Sequence, residues 1–219
     1  MPRRAKMPFA NDAVGGRTRI LDAVATLLVE RGPGALSVDN ILAVSGLSKG
    51  GFFYHFKTKQ EALLAAFEAQ VEKIEAMVTA NVATSGPAMG KKLHAYIRTV
   101  LDPKPGIQKR LLESTVRTLV ALLNDEPALM PEVAKVFRRS GSDLGDDGIP
   151  WEVRVLICET VEGLWLSRAL GIGHYTVDEE RRIAAYLLDL ASRPSVATPD
   201  KRIAIESPTR PTQKHRRRS

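Results

Sequence analysis

Between Gly46 and Lys59 the chain reads GLSKGGFFYHFKTK, and the side chains of that run suit one kind of chemistry. Ser48 and Tyr54 carry hydroxyls, His55 an imidazole, and Lys49, Lys57 and Lys59 ammonium groups. These are hydrogen-bond donors matched to phosphate oxygens and to the acceptor edges of bases. Rings at Phe52, Phe53 and Phe56 are interleaved with them, and two adjacent glycines, Gly50 and Gly51, stand just before the rings. A glycine costs a helix roughly 1 kcal/mol relative to alanine. The pair therefore implies a helix start that another body must approach closely.

The elements that must hold this run follow from its flanks. Ser37 caps a short helix over 37–45, with Val38, Ile41 and Leu42 on its inner side, and Gly46 ends it. Ser48 caps the next helix, 49–56, where Leu47 and Phe52 have the spacing of a hydrophobic staple. Phe52 and Phe56, four apart, share one face and should pack on the two preceding helices. Two short helices joined by a tight glycine turn form a helix-turn-helix, whose second helix enters the major groove. A bare helix N-terminus also suits a phosphate. A buried helical hairpin is the plain alternative, but the cluster of basic and aromatic-polar groups weighs against it.

Upstream, Thr18 is the expected cap of a first helix carrying Leu21, Val24, Ala25 and Leu28, stopped at Gly32. Downstream, Thr58-Lys-Gln-Glu61 reads as a capping box opening a long helix through Val78. Leu93, Ile97 and Val100 mark another helix, and further segments fall at 107–124, 130–140, 150–171 and 177–192, with a loop at 141–148. No alternating strand pattern stands out. The fold class is all-α: an N-terminal three-helix helix-turn-helix domain followed by a C-terminal helical domain. The expected division is a flexible basic arm 1–16, a DNA-binding domain 17–77 with its motif at 37–56, a helical body 78–193, and a disordered basic tail 194–219.

With these residues in place, the first ~75 positions resemble the DNA-binding domain of the tetracycline-repressor (TetR) family of bacterial transcriptional regulators. The resemblance runs through Ser37, Ile41, the stretch from Gly46 to Lys59, and Leu63-Leu64. It implies double-stranded operator DNA as the partner. Ser37 and Val38 then stand where the second helix meets the DNA backbone, and Ser48, Lys49, Gly50 and Gly51 where the recognition helix meets bases and phosphates. Tyr54, His55 and Lys59 occupy phosphate-contacting positions. Phe53 stands where many members have tyrosine, so it keeps apolar contact, as with a thymine methyl, without a hydroxyl to donate. Lys49 has two open roles, base readout or phosphate contact. His55 also has two, backbone contact or a ring packed on the first helix.

Charge is distributed in keeping with this. Residues 1–60 hold 9 Lys/Arg against 4 Asp/Glu, residues 61–193 hold 16 against 19, and residues 194–219 hold 7 against 2. Polyanion binding is thus assigned to the ends. The tail's Lys214–Arg218 either adds nonspecific DNA affinity or is a solvated end, and Arg3, Arg4 and Lys6 invite a minor-groove arm. The helix at 150–171 is apolar on nearly every side, which implies cover from a partner as well as from its own core. With 177–192 it is expected to pair across a twofold axis as a four-helix bundle, giving a homodimer that reads a palindrome; a monomer with one large core is the alternative. By resemblance, helices in 90–170 enclose a pocket for a small effector, expected to be apolar or aromatic, with His94, Met130, Trp151, Trp165 and His174 as candidate lining groups.

Other chemistries find little support. Gly86–Lys92 falls short of a phosphate loop by one spacer, the Ser/Thr and a preceding strand, and Asp143–Gly148 lacks the closing Glu of a calcium loop. One cysteine, Cys158, excludes an internal disulfide, and four scattered histidines form no metal motif. No cofactor, metal or catalytic residue is expected, and the chain is read as a non-enzyme. No run has the length of a membrane span or signal peptide, so a cytoplasmic, nucleoid-associated location is expected. The two competing functions are a TetR-like DNA-binding protein without an effector and, more remotely, an all-helical enzyme.

Overall fold

The computed structural model describes residues 13–84, 89–143 and 148–193. Most of the expected N-terminal arm, the centre of the expected 141–148 loop and the whole basic tail lie outside the described residues. Among those residues the secondary structure is helical, with no strand. The helices are α1 (Ala13–Arg31), α2 (Val38–Ser45), α3 (Lys49–His55), α4 (Lys59–Val82), α5 (Lys91–Leu101), α6 (Ile107–Asp125), α7 (Met130–Asp143), α8 (Trp151–Leu170) and α9 (Val177–Leu190).

α1 opens at Ala13, ahead of the expected cap at Thr18. The reason is that its core face starts a turn earlier: buried Gly16 precedes Ile20, Ala23, Val24, Leu27 and Leu28 on one side of the helix. Ser37 caps α2 by accepting from the Asn40 N–H at 3.2 Å, and Gly46 ends it in the left-handed region at φ 67°. Thr58 caps α4 through the Glu61 N–H at 3.1 Å. The Glu61 carboxylate reaches one residue further back than a capping box requires, accepting from the Lys57 N–H at 2.8 Å. The reciprocal box forms instead at α9, between Thr176 and Glu179. α7 continues through Gly141 to Asp143, beyond its expected end at 140.

Two apolar cores lie along α4, which runs unbroken from the helix-turn-helix into the body. The first joins α1–α4 through Ile20, Leu28, Ile41, Phe52, Leu63 and Phe67, and extends to Ala121 and Leu122 of α6 and Val133 and Val136 of α7. The second gathers Ile74 and Val78 of α4 with Leu93, Ile97, Leu112, Ile157, Val161 and Leu187. α6 therefore packs on both, and Gln60 Nε2 donates to Glu126 Oε1 at 2.6 Å where α6 ends.

Candidate nucleic-acid interface

α3 is seven residues long, too short to be stable alone, so its orientation is set by what it packs against. Phe52 is fully buried and Phe56 nearly so, their ring centroids 6.1 Å apart, and Leu47 packs against the same core. Arg19 of α1 ties the turn down from behind: its Nε and Nη2 donate to the Ser45 carbonyl at 3.0 and 2.5 Å. Sequence reasoning passed over Arg19, since a lone arginine on an amphipathic helix carries no signal of its target.

Anchored in this way, α3 turns its other side outward. Ser48, Lys49, Gly50, Phe53 and Tyr54 are exposed, with Tyr54 at 75%, while Gly51 is half-buried. Ser37 is exposed just before α2, whereas Val38 is half-buried against the core. The Ser48 hydroxyl oxygen accepts from the Gly51 N–H at 3.1 Å, and its O–H proton stays available to donate outward. Lys59 begins α4, half-buried beside exposed Lys57. The predicted residues thus lie at the start of α2, from Ser48 along α3, and at the start of α4, and Phe53 meets the buried Phe52 edge-on at 5.3 Å.

The glycines are informative because the protein's own packing does not require them. Neither has a positive φ. A Cβ on Gly50 would meet only the Ser48 hydroxyl, at 4.0 Å, and one on Gly51 would make ordinary contacts of 3.5–3.8 Å with Ser48 and Leu47. Gly16 is the opposite case: a Cβ there would lie 2.6 Å from His55 Nε2. The His55 imidazole is therefore seated on the backbone of α1, with Tyr54 edge-on to it at 5.0 Å. Gly16 fell within the expected flexible arm 1–16, so neither its place on α1 nor its partner was legible in the sequence.

The body contains a narrow, partly open cavity of about 90 Å³ between α4, α5, α6, α7 and α8. Phe67, Tyr96, Phe137 and Trp165 supply rings, and Glu162 and Cys158 also line it. Tyr96 donates to Glu162 Oε1 at 3.5 Å, and Trp165 Nε1 donates to the Leu112 carbonyl at 3.1 Å. Burial raises the Glu162 carboxyl above its ordinary value, the neighbouring Glu159 adds to this, and the Tyr96 bond partly offsets it. Burial and Glu162 push the Cys158 thiol up to about 11, so it is a protonated wall group at neutral pH. Of the other expected lining groups, His94 is buried and bonded to Ser192 at 2.9 Å, Met130 packs into the first core, and Trp151 and His174 are exposed. Only Trp165 of those five lines this cavity. The half-buried Glu162 adds a carboxyl to a pocket expected to take an apolar or aromatic effector.

The fold and the exposed helix-turn-helix define a bacterial DNA-binding regulator. Residues 20–66 match the N-terminal model "Bacterial regulatory proteins, tetR family", and residues 90–192 match "Tetracyclin repressor-like, C-terminal domain". The chain belongs to the TetR family of transcriptional regulators. It is 31% identical over 85 residues to the Transposon Tn10 TetC protein of Escherichia coli, covering 38% of this chain and 43% of that protein. Among solved structures, a TetR-family regulator from Rhodococcus sp. aligns with TM-score 0.67 and 21% identity, over 82% of this chain and 100% of the other. The multidrug binding protein EbrR complexed with ethidium aligns with TM-score 0.57 and 22% identity, over 78% and 97%. No helix among the described residues is long and apolar enough to cross a membrane.

Proposed function

We propose that the chain is a homodimeric, effector-responsive repressor that reads a palindromic operator through α3. The observation that carries DNA contact is the pair Gly50–Gly51, which weakens a short helix and answers to no contact inside the protein. A close-approaching duplex supplies the missing reason. Lys49 faces base edges or phosphates; Ser37, Ser48, Tyr54, Lys59 and the main chain at Val38 hold the backbone; Phe53 lies against a thymine methyl. The packing of His55 on Gly16 favours a role in which it props Tyr54 against phosphate. Alanine at 50 and 51 tests the reading: operator affinity should fall in a mobility-shift titration while thermal stability holds or rises. Unchanged affinity would sink it.

The second copy is assigned to α8. Glu152, Leu156, Glu159, Gly163, Leu166 and Leu170 recur at alternating spacings of four and three and are all exposed. Such spacing is the seam of paired helices. Among the described residues nothing lies within 4 Å of a Cβ placed on Gly163, in keeping with a mid-helix glycine that answers to another body. A close crossing of α8 on its twofold mate accounts for it.

The effector site is the aromatic cavity. At about 90 Å³ it is below the roughly 150 Å³ that admits a benzene ring. Filling it must therefore displace a wall, and Phe67, Val71 and Ile74 of that wall belong to α4. Motion there reaches the recognition helices and shifts their spacing, a population shift between two states of the dimer. Rings around one carboxylate suit an aromatic cation, and the likeness of fold to ethidium-bound EbrR is in keeping with that. Calorimetry with ethidium should show binding to the wild type, at least tenfold weakened in Glu162→Gln, with more proton release at pH 5–6 than at pH 8. Equal affinity of the variant would remove the carboxylate from the site.

A further inference from the structure

On a different face of α4 from the aromatic cavity, α1, α4 and the first turns of α6 border an open cleft of about 520 Å³. Leu21, Ala25, Ala66 and Leu111 give it apolar walls, and Ile107 lines it while 86% exposed. Gln70 lines it too, and its position is costly. The residue is 4% exposed, and neither Oε1 nor Nε2 has a hydrogen-bond partner among the described residues. A buried carboxamide without partners is destabilising and calls for an explanation. Neighbouring polar groups do not supply one: Lys73 pairs with Asp22 at 3.4 Å, and the Ser114 hydroxyl donates to the Leu111 carbonyl at 2.9 Å. Gln70 belongs to neither the DNA-facing surface nor the aromatic cavity.

We infer that this cleft is a second small-molecule site, and that its ligand is a flat, largely apolar molecule bearing a cis-amide edge, as in a lactam or imide. Such an edge complements a primary carboxamide: its N–H donates to Gln70 Oε1 while its carbonyl accepts from Nε2. The side chain is unbranched, so turning the carboxamide toward the cleft needs only a change of rotamer. The cleft joins α1 and α4, which carry the helix-turn-helix, to α6 of the body. Occupancy there couples to the placement of the reading head without passing through the aromatic cavity.

The test measures binding without DNA, so it is independent of the function proposed above. The probe is 2-quinolone, titrated against the full chain by NMR, with N-methyl-2-quinolone, which lacks the donor, as control. The wild type should bind 2-quinolone and shift a glutamine side-chain amide signal. Affinity should fall about tenfold or more in Gln70→Leu and for the N-methyl probe, as a buried polar group left unpaired penalises the wrong partner. Thr26→Trp, which fills the cleft from α1, should abolish binding, and Glu162→Gln should leave it unchanged. Gln70→Leu removes an unpaired buried group and should melt no lower than the wild type; should it fail to fold, Thr26→Trp and the N-methyl probe decide. No binding by the wild type, as when water alone satisfies Gln70, overturns the inference. Undiminished binding by either cleft variant, or loss in Glu162→Gln, does so equally.

Discussion

Lys49 and Lys59 separate two kinds of contact that look alike in a static structure. Both are cations at helix starts, Lys49 exposed on α3 and Lys59 half-buried on α4. Lys59→Ala should weaken binding to every duplex alike and reduce the salt slope by about one, the signature of a single lost phosphate contact. Lys49→Ala should cost about 1–3 kcal/mol at the operator and relax preference at one position per half-site if it reads a base. Selection from a randomised operator checks this; identical preferences in both proteins return Lys49 to the phosphates. Gly50→Ala and Gly51→Ala should each hold or raise stability by up to about 0.5–1 kcal/mol while weakening operator binding. That opposition of signs is what distinguishes a glycine kept for a partner from one kept for the fold.

Gly46 is of the other kind, and its effect belongs to the turn between α2 and α3. Its φ of 67° disfavours any L side chain, and a Cβ would lie 3.0 Å from Arg19 Nη2. Gly46→Ala should therefore destabilise the protein by about 1–2 kcal/mol, read as a lowered melting temperature. α8 carries a pH dependence through Glu162. Its folded carboxyl titrates above the ordinary value, so the folded state holds that proton more tightly than the unfolded chain does. The stability so contributed is full below the unfolded value near 4.5 and declines as pH rises through the raised folded one. Glu162→Gln should thus gain on the wild type in melting temperature between pH 4 and pH 8. A constant difference across that range would count against the burial argument.

For the whole molecule the decisive question is assembly. The exposed seam of α8 leaves Leu156, Leu166 and Leu170 in water on a single chain. Burying such side chains is worth about 1.5–3 kcal/mol each. Leu166→Glu should give monomers by light scattering with helicity retained. Gly163→Leu should do the same, because a Cβ there meets nothing within 4 Å among the described residues. A dimer surviving both changes would place the twofold elsewhere. Monomers should also lose most operator affinity, since each then engages a single half-site.

Local signals decided much of this protein before any packing was known. Ser37, Ser48 and Thr58 cap the helices expected of them because capping is settled within three or four residues along the chain. The spacing of four placed Phe52 and Phe56 inside for the same reason; the helix-turn-helix was legible from that stretch and its flanks, and the all-α class from helical periodicity along the whole chain. What the tertiary structure decided are pairings between residues far apart in sequence: Gly16 under His55, Arg19 on the Ser45 carbonyl and Glu162 beside Tyr96, and also the lack of a partner for Gln70 among the described residues. No periodicity encodes these, since each depends on how two helices cross. The same difference separates the glycines: sequence marks them all as costly, and only the space around each shows which cost is met inside the chain and which awaits another molecule.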